Sequence, residues 1–191
     1  RAEDEMVRGV YIDRVDAERL TLEDALKRYL EEVAVTKRAT TAYAEQNRAK
    51  RLLDGLGGYS LAAITPSIIA DYRDKRLADG RSNNTVRLEL ALLSHTYTIA
   101  IKEWRIGLAY NPVANIRKPS PGEGRNRRLK ADEEQQLVAA CSAYSNPMLG
   151  WLVRLAIHTG MRAGELRSLR HDQVDLKRRV VTLSMTKNGS A

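Results

Sequence analysis

The chain has no phenylalanine, one cysteine, three histidines and two tryptophans in 191 residues. A core without phenylalanine must be packed by Leu, Ile, Ala and Tyr, which suits a small bundle of short helices. The lone Cys141 excludes an intrachain disulfide and fits a reducing cytoplasm. It reads as a small hydrophobe on a helix, with no histidine near enough in sequence to make a catalytic thiol. His95, His158 and His171 form no Cys/His or His/carboxylate cluster, so neither a metal nor a cofactor is expected, and His158 reads as a packing or hydrogen-bonding residue. No glycine-rich loop ends in Lys-Ser/Thr, and Gly55-Leu56-Gly57-Gly58 reads as a helix-ending turn. The longest apolar run, Leu149 to Ile157, is broken by Arg154 and is too short for a membrane span. Residues 1–16 are charged throughout, unlike a signal peptide. No membrane contact is expected, and the cytoplasm is the expected compartment.

What is present is positive charge in one place. The net charge is +8, and residues 37–128 hold 17 Lys and Arg against 8 Asp and Glu. Residues 1–36 run the other way, with 6 basic and 10 acidic side chains. A basic centre of this kind is the footprint of a nucleic-acid clamp, or else the solvated face of a helical domain.

Helical spacing is plain in the first half. Leu22, Ala25, Leu26, Tyr29, Leu30 and Val33 recur at three- and four-residue intervals, so a helix is expected over 21–36 with Thr21 as its cap and Asp24 close behind. A second is expected over 40–53, and a third from Thr65-Pro66 to Gly80, with proline at the first helical position. The clearest stripe is Val86, Leu90, Leu93, Tyr97, Ala100, Ile101 and Trp104, with Ser82 as cap. Residues 111–128 break the pattern with three prolines, two glycines and five basic side chains, and read as an interdomain linker. Helical spacing then returns from Leu129, through Met148–Thr159 and Gly164–Leu169, before a strand over 179–185.

Thr159-Gly160-Met161-Arg162-Ala163-Gly164-Glu165-Leu166 carries the chemistry. At i and i+3 on a helix Glu165 can orient Arg162 and leave guanidinium donors over for a phosphate. The same pair is also an ordinary surface arginine with an acidic partner. Two basic surfaces are candidate DNA contacts. Lys37, Arg38 and Thr40 open the second helix, with Arg48 and Arg51 along it. Arg81, Ser82, Asn83 and Thr85 open the fourth, with Arg87 one turn inside, a set that reads equally as an ordinary cap beside surface charge. In the linker Arg117, Lys118, Arg125, Arg127 and Arg128 could lie along phosphates or simply be solvated.

The Arg162 octapeptide resembles the segment that holds the first catalytic arginine of the tyrosine recombinases, the phage integrase family. Leu169 to Leu176 looks like the stretch that follows it there, with His171 where tryptophan is usual. Thr186-Lys187-Asn188-Gly189 is similar to the turn that carries the family's catalytic lysine, 25 residues after Arg162. Arg81 to Arg87, running through Trp104 to Asn111-Pro112-Val113, is similar to the last long helix of the family's core-binding domain. The resemblance implies a mainly α chain: a lead-in over 1–20, a four-helix, SAM-like core-binding domain over 21–110, a basic linker over 111–128, and a truncated α+β catalytic domain over 129–191. It implies Arg162 as a phosphate clamp, Glu165 as its support and Lys187 as general acid.

The partner it implies is double-stranded DNA, cut through a 3′-phosphotyrosyl intermediate by a tetramer on two duplexes, on the nucleoid and without a cofactor. The family's His-x-x-Arg and nucleophilic tyrosine would follow the lysine turn, and all eight tyrosines here precede Arg162. The expectation is therefore a fragment that binds DNA without cutting it. Two other readings stay open: a non-enzymatic DNA-binding module, and a basic helical adaptor for protein or RNA.

Overall fold

The computed structural model describes residues 15–124 and 126–183. They form two compact units divided between Gly124 and Arg125.

The first unit is helical. Its elements are α1 (Val15–Arg19), α2 (Leu22–Glu32), α3 (Ala39–Leu56), α4 (Pro66–Ala78) and α5 (Asn83–Lys102). Thr21 starts α2 through a reciprocal capping box: its Oγ1 accepts from the Asp24 amide at 3.1 Å, and the Asp24 carboxylate accepts from the Thr21 amide at 3.2 Å. Such a cap stabilises a helix start by roughly 1 kcal/mol. The Leu22 amide donates to the Tyr59 carbonyl and the Leu61 amide to the Leu20 carbonyl, both at 2.9 Å, tying the turn after α3 to the start of α2. Thr65 and Ser82 cap α4 and α5 as their positions imply.

The core is aliphatic and tyrosine-rich. Leu22, Leu26 and Tyr29 of α2 meet Leu52 of α3, Ile69 of α4, and Leu90, Leu93 and Tyr97 of α5, all fully buried. Each such leucine is worth about 1.5–3 kcal/mol on burial. The stripe on α5 brings Glu89 inside with it, 1% exposed, because position 89 lies on the same face as Val86 and Leu93. Its carboxylate accepts from the Tyr72 hydroxyl at 2.8 Å and from Arg76 Nε and Nη2 at 3.0 and 2.6 Å.

Four local expectations change. The helix expected over 21–36 ends at Glu32 and tightens into a 3-10 turn, Ala34–Thr36. Gly55, expected in a turn, lies inside α3, where a Cβ would stand 2.8 Å from the Tyr72 ring; the close approach of two helices explains the glycine. The α5 stripe stops at Lys102, and Arg105 takes a left-handed φ of 54°. Trp104 then folds back on α2, its indole N–H donating to Glu32 at 2.9 Å and the Arg28 guanidinium 4.5 Å from its ring centroid. Last, the tether expected from Asn111 onward is docked for its first ten residues. Pro112 and Val113 are buried in a 3-10 turn, and Asn111 Nδ2 donates to the Ser94 carbonyl at 2.9 Å while its Oδ1 accepts from the Val113 amide at 3.1 Å. Apolar side chains within a charged, proline-rich segment override its composition.

The second unit comprises α6 (Ala131–Ser142), α7 (Met148–Thr159), α8 (Ala163–Arg167) and a hairpin of β1 (Val174–Asp175) and β2 (Val180–Val181). The strands are antiparallel, with Val174 opposite Val181 and Asp175 opposite Val180. The strand expected over 179–185 is thus shorter among the described residues, and it is paired with the segment just before it. Cys141 of α6 and Leu166 of α8 are buried. Trp151 on α7 is 66% exposed. Among the described residues no helix is long and apolar enough to cross a membrane.

Candidate functional site

Gly160 closes α7 in a left-handed conformation, φ 65°, with its amide on the Ala156 carbonyl at 2.9 Å. Thr159 at the end of the helix turns its hydroxyl back to the Leu155 carbonyl at 2.6 Å and accepts from the Met161 amide at 3.3 Å. These contacts set Arg162 at the N-cap position of α8. Glu165 then holds it twice: one carboxylate oxygen accepts from the Arg162 amide and the other from its Nη1, both at 2.9 Å. The Glu165 side chain is 13% exposed and that of Arg162 is 59% exposed, so the carboxylate is the fixed member and the guanidinium faces outward. An arginine held by Glu165 and otherwise facing outward can accept an oxyanion such as a phosphate without first being ordered. Lys187 and Arg125 lie outside the described residues; among the described catalytic candidates the geometry joins Arg162 to Glu165.

The basic surfaces of the first unit divide more sharply than their sequence suggests. Lys37, expected on DNA, turns inward: its ammonium donates to the Tyr29 hydroxyl at 2.7 Å and to the Glu45 carboxylate at 2.7 and 3.0 Å. Burial works against its charge, and the hydrogen bonds to Glu45 and Tyr29 outweigh that, so its pKa is raised. His95 Nδ1 sits 2.6 Å from the same hydroxyl, which makes a four-residue polar knot between α2, α3 and α5. Arg38 and Thr40 are exposed at the start of α3, Arg48 is half-buried, and Arg51 is exposed and 3.4 Å from Asp54.

At the start of α5, Ser82 accepts from the Thr85 amide at 3.2 Å, the ordinary cap. Arg81 is exposed. Asn83 and Arg87 are committed within the unit: Asn83 Nδ2 donates to Ser120 Oγ at 3.3 Å, and Arg87 Nη1 to the Pro119 carbonyl at 2.9 Å. Arg87, expected as a phosphate contact, therefore spends a donor on the main chain. Arg117 and Lys118 are exposed. Arg127 pairs with Glu133 at 2.6 Å, and Arg128 is exposed. His158, expected to pack or hydrogen-bond, is exposed on α7, because the helix face it shares with Arg154 is open. Among the described residues no cluster of His, Cys and carboxylates could hold a metal.

Glu89 and Arg73 escaped the sequence reading. The signal for Glu89 was a carboxylate one turn after Val86 on an otherwise apolar stripe; for Arg73 there was none, since its partner is a carbonyl 44 residues away.

The sequence model of the phage integrase family matches residues 127–191. The shufflon-specific DNA recombinase of Escherichia coli is 41% identical over 182 residues, which cover 90% of this chain and 46% of that protein. A putative integrase/recombinase of Haemophilus influenzae is 30% identical over 175 residues, 88% of this chain and 56% of that one. Among solved structures, a lambda integrase dimer bound to a COC′ core site matches with a TM-score of 0.74 at 26% identity, over 87% of this chain and 60% of that one. The chain spans about half the length of the curated relatives it matches. With the family model on the second unit and similar proteins running through both, the chain belongs to the phage integrase family, the tyrosine recombinases.

Proposed function

We propose that the chain serves site-specific DNA recombination, its first unit gripping duplex DNA as a core-binding domain and its second contributing the first arginine of the phosphate clamp. The observation that carries this is Arg162, held by Glu165 with its remaining donors outward, inside the segment that the family model matches. In this reading Arg162 neutralises non-bridging oxygens of the scissile phosphate, and Glu165 keeps the guanidinium in place. Lys187 gives a proton to the leaving 5′-oxygen. Arg38, Thr40, Arg48 and Arg51 on α3, Arg81 at the start of α5, and Lys118, Arg125, Arg127 and Arg128 after it supply the phosphate contacts. The complete reaction passes through a 3′-phosphotyrosyl intermediate on a tetramer holding two duplexes, in the cytoplasm on the nucleoid. His-x-x-Arg and a tyrosine beyond Arg162 do not occur in the 191 residues, so these residues alone bind duplex without forming the covalent bond.

The test is fluorescence anisotropy on a labelled duplex across a salt series, paired with a nicked substrate that traps covalent adducts. The expected result is affinity that falls steeply with salt, with a log–log slope of about −0.9 per phosphate neutralised. No adduct is expected. Binding that ignores salt would overturn the DNA reading, and an adduct would place a nucleophile among Tyr11 to Tyr144.

A further inference from the structure

The segment from Arg117 to Ser120 has no regular secondary structure, yet three side chains from two helices hold it. Arg73 of α4 donates from Nη1 to the Arg117 carbonyl at 2.7 Å. Arg87 of α5 donates to the Pro119 carbonyl at 2.9 Å, and Asn83 to Ser120 Oγ at 3.3 Å. Ile116, just before, packs on the core. Donors from two helices on the carbonyls of 117 and 119 fix this stretch of main chain against the first unit.

Arg73 is built for this. Asp74 takes its Nε and Nη2 at 2.7 and 2.8 Å, which neutralises the charge and aims Nη1 at the strap; the Arg73 side chain is 18% exposed. With Nε and Nη2 on Asp74 and Nη1 on a carbonyl, this largely covered guanidinium has little left for a phosphate, unlike Arg162, which is 59% exposed and gives Glu165 only Nη1 of its guanidinium. The side chains of Arg117 and Lys118 are meanwhile exposed.

We infer that Arg73 and Arg87 are positioning residues that pin the backbone of residues 117–120 so that Arg117 and Lys118 are presented to DNA phosphates as a pre-ordered pair. This rests on the DNA-binding reading above. Arg73 and Arg87 thereby serve a strap instead of touching phosphate themselves. Pre-ordering matters because a cation on a loose tether must lose its freedom on binding, and one on a pinned strap has lost it already.

The pin is tested in the free chain by trypsin. The Arg117–Lys118 bond is the one at risk, since Lys118 is followed by proline. Arg73→Ala/Arg87→Ala is expected to speed cleavage after Arg117 on the order of tenfold or more, the loss of charge-assisted hydrogen bonds that hold the strap closed. Arg87→Lys, which keeps the charge, should restore part of the protection. The DNA role is tested by anisotropy over a salt series. Arg117→Ala/Lys118→Ala should weaken binding and flatten the slope by about 0.9 for each phosphate left without its cation. Adding Arg73→Ala/Arg87→Ala to that variant should change affinity less than about twofold, because those arginines act through the pair already removed. Unchanged cleavage after Arg117 overturns the pin. Additive losses, each with its own change of slope, overturn positioning in favour of direct phosphate contact. A parent chain that does not bind duplex at low salt overturns the DNA reading, and does so without touching the cleavage result.

Discussion

Glu89→Ala is expected to destabilise the first unit by about 3–5 kcal/mol, the cost of stranding one member of a buried ion pair. The figure follows from what the carboxylate does. It is 2% exposed at the side chain, faces an Arg76 guanidinium that is 14% exposed, and receives three hydrogen bonds at 2.6 to 3.0 Å. Without it the partly buried Arg76 keeps its charge with no carboxylate beside it, and the Tyr72 hydroxyl is left with the Arg51 carbonyl at 3.4 Å. Burial, then the neighbouring carboxylate, raises the Tyr72 pKa, so that hydroxyl stays protonated and needs an acceptor. A loss of this size lowers the melting temperature on the order of 15 °C in a unit of this length.

The assay is urea unfolding followed by Trp104, which sits on α2 of the first unit, in a Trp151→Leu background so that no other tryptophan reports. Glu89→Gln, similar in size and uncharged, should fall between wild type and alanine. Arg76→Leu/Glu89→Leu should recover most of the loss, since an apolar pair leaves no orphaned charge. A cost below about 1 kcal/mol for Glu89→Ala, or a double variant as unstable as the two single leucine variants summed, would mean that the Arg76–Glu89 pair does not carry this stability.

Gly55→Ala should destabilise the same unit despite a helix-propensity gain of roughly 1 kcal/mol, because its Cβ would stand 2.8 Å from the Tyr72 ring; overpacking of this kind costs about 1–3 kcal/mol, and urea unfolding reads the net sign. Gly160→Ala forces a side chain into φ 65° and should cost about 1–2 kcal/mol, seen in Trp151 emission on urea unfolding with Trp104 replaced. Asp24 has its pKa lowered from 3.8 by the Thr21 hydroxyl first and the Thr21 amide second. A depressed carboxylate adds stability that is present above its unfolded pKa and lost as pH falls through its folded one. Asp24→Asn should therefore flatten the decline in thermal midpoint below about pH 4, and an unchanged acid limb would count against the capping box.

Periodicity and capping were legible in the chain itself. The α5 stripe, the caps at Thr21, Thr65 and Ser82, and the Arg162–Glu165 pair all depend on residues within one helical turn of each other, so spacing alone specifies them. The resemblance of the Arg162 octapeptide was likewise a property of consecutive residues. What spacing cannot carry is a partner distant in sequence. The reach of Arg73 across to the Arg117 carbonyl, the capture of Lys37 by Glu45 and Tyr29, and the burial of Glu89 under Arg76 each depend on how helices pack. In every case a charge that composition assigns to the surface found a hydrogen-bonding partner inside the fold. A buried polar group must be satisfied wherever the packing puts it, and only the tertiary structure says where that is.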